Sequence, residues 1–204
     1  MSITTVTDSF SRTYPRTVTS SEGSIVLRLM GAEDAGAVLA FAQALPAHDL
    51  LFLPRDITQP KVMNAWVRAI ERGNIDSVLA LRDEAVLGCA AVIRDPHSWS
   101  SHVVELRVLA APELRGSGLG HKLAREACAL AIERGAEKLV ARMTVDQRGA
   151  IAVFQALGFK PEALLGKHVK DRQGLTHDLV VLSQDVARFE AQMRAYGMGE
   201  ALGG

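Results

Sequence analysis

The chain predicts a single α/β domain of the α+β kind, with a mixed, largely antiparallel sheet flanked by helices. Short apolar runs bounded by turn residues recur between residues 23 and 184, and amphipathic helical repeats interrupt them. A glycine-rich turn, Arg115-Gly116-Ser117-Gly118-Leu119-Gly120, joins an apolar strand to a helix in mid-chain. Read in order, the elements run β-α-α-β-β-β-α-β-α-β-β, with no internal repeat and no clear linker.

Residues 1–22 are rich in Ser and Thr and poor in large apolar side chains, so a flexible lead-in is expected there, with Tyr14-Pro15-Arg16 docking as an extra edge strand. Ile25–Leu29 reads as a strand. A helix follows from about Asp34 to Leu45, carrying Val38, Leu39, Phe41, Ala42 and Leu45 at helical spacing, until Pro46 ends it. His48–Gln59 is a loop, and Pro60 opens a second helix that reaches Arg72 with Val62, Trp66, Ala69 and Ile70 on one side. Asp76–Leu81 and Val86–Ile93 pair as a hairpin, Asp95-Pro96-His97-Ser98 turns, and Val103–Ala110 is the strand feeding the glycine turn.

The helix after the turn runs from Gly118 to Arg134 on an apolar stripe of Leu119, Leu123, Ala127, Leu130 and Ala131, and Gly135 stops it. Lys138–Val145 is a strand and Arg148–Leu157 a short helix. Ala163–Lys170 and Thr176–Ser183 form a last hairpin around Asp171–Gly174. Residues 185–204 read as a tail with helical periodicity at Val186, Phe189 and Met193. The expected organisation is a lead-in (1–22), one domain (23–184) and a helical tail (185–204).

Composition narrows the function. In 204 residues, 23 basic side chains balance 23 acidic ones, which speaks against a nucleic-acid-binding surface or attraction to an anionic membrane. Cys89 and Cys128 sit in apolar segments without CxxC spacing, as buried thiols in a reducing compartment do. No apolar run reaches transmembrane length and the N-terminus lacks a signal-peptide pattern, so a cytoplasmic setting is expected.

Three glycines in five positions leave the first turn of the central helix bare. Its unpaired backbone amides, with the helix dipole behind them, suit a pyrophosphate. A Walker loop needs Gly-Lys-Ser/Thr, but His121, Lys122 and Leu123 follow Gly120. A dinucleotide fingerprint needs a sixth-position glycine where His121 stands, and it belongs in a first βαβ unit. The pattern Arg/Gln-x-x-Gly-x-Gly/Ala fits in full on Arg115, Gly118 and Gly120.

That pattern resembles motif A of the GNAT superfamily of acyl-CoA-dependent N-acyltransferases, and the element order is similar too. The resemblance implies that Arg115, Gly116, Ser117, Gly118, Leu119 and Gly120 grip the pyrophosphate of acetyl-CoA. It also implies that the strand before them ends in a bulge. Free backbone groups at Val108, Leu109 and Ala110 then pair with the pantetheine arm, and a backbone amide there could polarise the thioester carbonyl.

Glu105 is the one acid in an otherwise apolar strand, and an ammonium must lose a proton before it attacks a thioester. Glu105 stands ten residues before Arg115, the register of the catalytic glutamate in Pat-type protein lysine acetyltransferases. Tyr14-Pro15-Arg16, Gly23, Arg28 and Glu33-Asp34 also resemble the start of that domain. The competing reading is a structural pair with Arg107. Two positions depart from the wider family pattern: Gln147 stands at its Asn and Phe154 at the Tyr that protonates the leaving thiolate. Gln147 is the remaining candidate for hydrogen bonding to the cofactor.

The acceptor, a protein lysine or a small-molecule amine, is expected at the loop between the first two helices and at the last hairpin. Those segments hold His48, Asp49, Arg55 and Asp56, then Lys167, His168, Lys170, Asp171, Arg172, His177 and Asp178. His48-Asp49 and His177-Asp178 match no zinc spacing, so no metal is expected. Phe52 and Trp66 read as packing residues ahead of pocket walls. A non-catalytic acyl-CoA sensor of the same fold is the alternative, a nicotinamide-dependent enzyme is a third reading, and a homodimer is left open because the sequence does not reveal the oligomeric state.

Overall fold

The computed structural model describes residues 12–20 and 23–195. Its strands are β1 (Arg16–Ser20), β2 (Gly23–Leu29), β3 (Ile75–Arg82), β4 (Ala85–Ile93), β5 (Val103–Ala110), β6 (Lys138–Thr144), β7 (Lys160–Lys170) and β8 (Thr176–Asp185). The helices are α1 (Ala35–Ala44), α2 (Pro60–Glu71), α3 (Leu119–Glu133), α4 (Arg148–Ala156) and α5 (Val186–Ala195). All eight strands form one sheet in the order β1-β2-β3-β4-β5-β6-β8-β7. Every neighbouring pair is antiparallel except β5 and β6, which α3 connects as a parallel crossover.

Part of the predicted lead-in belongs to the sheet. β1 pairs with β2 from Arg16↔Leu27 to Ser20↔Gly23, whereas residues 1–11, 21–22 and 196–204 lie outside the described residues. The anchor is Glu126, buried in the middle of α3. It accepts hydrogen bonds from Tyr14 Oη at 3.0 Å and Arg16 Nη1 at 3.1 Å, and Arg12 Nε stands 3.6 Å away. Burial, then the Glu126 charge, pushes the Tyr14 phenol well above its ordinary value. A Ser/Thr-rich composition does not reveal this anchor, because its partner lies more than a hundred residues on. Replacing Glu126 by Ala leaves these donors without their acceptor and is expected to lower stability by about 3 kcal/mol, read from urea unfolding. An unchanged midpoint would mean that strand pairing alone holds β1.

Helices cover both faces. Trp66 of α2 donates from Nε1 to Ser77 Oγ on β3 at 3.0 Å, and Ser77, Ala91 and Arg107 lie opposite one another on β3, β4 and β5. Arg107, and Glu105 two residues before it, therefore face the α2 side. The opposite face packs against α3. A Cβ on Gly88 of β4 would lie 2.8 Å from Leu123 of α3 and 2.7 Å from the Leu109 carbonyl oxygen, so this glycine lets helix and strand close together.

Candidate active site

β5 and β6 part company. Their pairing runs from Val103↔Lys138 to Leu106↔Ala141 and stops there, while β5 continues to Ala110 and β6 to Thr144. Val108, Leu109 and Ala110 thus lie on an arm paired on one side only, with β4. The expected bulge is absent. β5 keeps register with β4 without a shift, from Ile93↔Glu105 to Gly88↔Ala110, so exposed backbone arises from the parting of two strands.

The arm leads through a short 3-10 turn (Pro112–Leu114) into the glycine turn. Gly116 and Gly118 have φ near +81° and +82°, a left-handed conformation that favours glycine, and Gly118 is the N-cap of α3. Three of the candidate amides are already used, and the first, Arg115 N–H, donates to the Pro112 carbonyl at 3.2 Å. Ser117 N–H donates to the Leu114 carbonyl at 3.2 Å, and Leu119 N–H donates to Ser117 Oγ at 3.3 Å. Ser117 therefore shapes the turn, the Leu119 side chain is buried, and the amides of Gly118, Gly120 and His121 remain for a ligand. A Cβ at Gly116, Gly118 or Gly120 would meet nothing within 4 Å, so the turn faces open space. Such a cradle at a helix N-terminus fits a pyrophosphate.

Glu105 lies just before the split, half-buried, with Oε1 accepting from Arg107 Nε at 2.9 Å. The ion pair of the competing reading is thus present, and the carboxylate also sits beside the opening between the arms. Gln147 is the N-cap of α4. Its Oε1 accepts from Thr144 N–H at 3.1 Å, which leaves its amide nitrogen as the group that can reach a cofactor. Phe154 is buried edge-to-face against Phe159, with ring centroids 5.1 Å apart.

A 3-10 turn over Ala47–Leu50, between α1 and α2, bridges the two arms. Asp49 Oδ2 accepts from Arg115 Nη2 at 2.5 Å, just beyond the β5 arm. His48 Nε2 lies 2.6 Å from Asp146 Oδ2, just beyond the β6 arm. The His48 ring also meets His177 of β8 edge-to-face at 5.2 Å, and His177 Nε2 is 2.9 Å from Asp171 Oδ2. Neither histidine pairs with its sequence neighbour: His48 meets Asp146 from across the chain and His177 meets Asp171 within its own hairpin, while Asp178 accepts from the Lys167 amide. Sequence spacing missed this cluster because three separate loops assemble it. Among the described residues no group of three or more His, Cys, Asp or Glu side chains is placed to hold a metal.

Beyond the turn, a cleft of about 450 Å³ opens between the α1–α2 loop and the β7–β8 turn. Gln43, Leu45, Leu50, Thr58, Pro60 and Arg172 line it, and Arg172 reaches Asp56 at 3.4 Å. Both predicted acceptor segments therefore meet at one place. Phe52 and Trp66 pack against the core.

A parted pair of parallel strands thus stands beside a helix N-terminus where the amides of Gly118, Gly120 and His121 have no hydrogen-bond partner among the described residues. The model of the acetyltransferase (GNAT) family matches residues 47–159, and the chain belongs to that family. No curated protein matches the chain. Among solved structures, a ribosomal-protein-alanine N-acetyltransferase from Brucella melitensis superposes with a TM-score of 0.67 at 23% identity, covering 78% of this chain and 98% of that one. An N-acetyltransferase from Staphylococcus aureus Mu50 gives 0.70 at 20% identity, covering 79% and 98%. YncA from Salmonella typhimurium, solved with its cofactor acetyl-CoA, gives 0.68 at 20% identity, covering 79% and 94%.

Proposed function

We propose that this protein transfers an acetyl group from acetyl-CoA directly to a primary amine, with Glu105 as general base. The observation that carries the reading is the parting of β5 from β6 directly before the glycine turn. Amides of Gly118, Gly120 and His121 take the pyrophosphate, the backbone of Val108–Ala110 takes the pantetheine arm, and the thioester comes to lie between the strands. Glu105 borders that gap and can receive a proton from the attacking nitrogen. The Glu105-to-Arg115 register favours a protein lysine as acceptor, with a small amine next. A cytoplasmic setting is part of the same proposal.

Thiol release from acetyl-CoA in the presence of lysine peptides and alkylamines tests the reading. Turnover with at least one acceptor class is expected. Coenzyme A binding without any turnover would favour the acyl-CoA sensor, which draws support from the buried Phe154 and from the Glu105–Arg107 pair.

A further inference from the structure

We propose that His48, oriented by Asp146, is a second proton-transfer group of this active site. This rests on the acetyl-transfer reading above. An acceptor that arrives as an ammonium loses two protons on becoming an amide. One leaves before attack, to expose the nitrogen lone pair, and one leaves as the C–N bond forms and the C–S bond breaks. The sulfur departs as thiolate and takes a proton from solvent, so one proton is released per turnover. Glu105 is a single acceptor on β5, just before the strands part, already bonded to Arg107.

His48 is placed for the first of these protons. It lies on the turn that touches both arms, through Asp49 to Arg115 and through its own ring to Asp146. The side chain of His48 is 39% exposed, so it meets both an incoming acceptor and bulk water. The Asp146 carboxylate 2.6 Å from Nε2 is an ion-pair contact whose geometry is not that of a hydrogen bond, and its negative charge favours the tautomer protonated on that buried nitrogen, which leaves the Nδ1 lone pair to take the proton. The groups around the ring are Asp146 from the β6–α4 turn, His177 with Asp171 from the β7–β8 hairpin, and Asp49 with Arg115 alongside. Burial raises the pKa of Asp146, but the nearby Thr144 side chain, its own amide and the charge of His48 outweigh burial and hold this carboxyl below its ordinary range. Asp146 therefore stays ionised and keeps its grip on the imidazole at neutral pH. From Nδ1 the proton passes to water.

The test is kcat/KM for the acceptor against pH, in the native chain and in His48→Gln, with Nα-acetyl-lysine amide or an alkyl diamine as acceptor, whichever the native chain turns over faster. At pH 7 the variant is expected to be tenfold or more slower. The two curves should converge toward pH 10, where the amine sheds its proton unaided. Coenzyme A affinity and melting temperature should stay unchanged, and Asp146→Asn should follow the same pattern more weakly. A variant that matches the native chain at pH 7, or is slower by one constant factor at every pH, overturns the proposal and makes His48 a structural strap. Absence of transfer by the native chain would instead sink the acetyltransferase reading itself.

Discussion

Glu105→Gln is expected to slow acetyl transfer about a hundredfold while leaving coenzyme A affinity unchanged. Glutamine keeps an oxygen for the Arg107 guanidinium at the same point on β5, so the strand and its pairing with Ile93 and Val140 should persist. It removes only the ability to take up a proton, which is about 2.7 kcal/mol of barrier for that factor. The cofactor is expected to meet β5 through the backbone of Val108–Ala110, beyond Glu105, so its binding should not register the change. Equal rates in the two proteins would reduce Glu105 to the partner of Arg107. A parallel loss of coenzyme A affinity would place it on the cofactor instead. Combining Glu105→Gln with His48→Gln tests whether the two groups act independently, because independent sites give losses that add in free energy and coupled ones do not.

Much of the sheet was legible because the signals are local. Val103–Ala110 reads as a strand and is one, and the bare turn of Gly116, Gly118 and Gly120 announces a helix start that the structure places at Leu119. Trp66 could be assigned to packing because helical spacing puts it on the apolar side of α2. What the sequence hides is long-range. β1 depends on Glu126 more than a hundred residues away, and a glutamate amid alanines on a helix reads as solvent-facing until its three partners are seen. The parting of β5 from β6 is a matter of register, which no single strand encodes. The His48 cluster needs the α1–α2 turn, the β6–α4 turn and the β7–β8 hairpin in place together, so His48-Asp49 read alone suggests the wrong pair. Backbone direction also decided the glycine turn, where Ser117 and Leu119 spend their amides on the turn itself.

The phosphate cradle is the other place where a large effect is expected, and the helix it begins supplies its own control. Gly118, N-cap of α3, and Gly135, just past its end, both have φ near +82°, and a Cβ at either would meet nothing within 4 Å. Valine at either position must hold a β-branched side chain in the left-handed region, at a cost of about 1–2 kcal/mol. The stability losses of Gly118→Val and Gly135→Val should therefore be similar, seen as comparable drops in melting temperature. Their effects on coenzyme A should differ sharply. At residue 118 the side chain enters the space that a diphosphate needs against the amides of Gly118, Gly120 and His121, and affinity is expected to fall about a hundredfold in titration calorimetry, near 2.7 kcal/mol. At residue 135, at the far end of the same helix, affinity should hold. Dephospho-coenzyme A, which keeps the diphosphate, should lose affinity by the same factor in Gly118→Val, whereas pantetheine, which lacks it, should bind both variants alike. If Gly118→Val binds coenzyme A as tightly as Gly135→Val does, the diphosphate lies elsewhere, and the path drawn from this turn along Val108–Ala110 to Glu105 is wrong from its first contact.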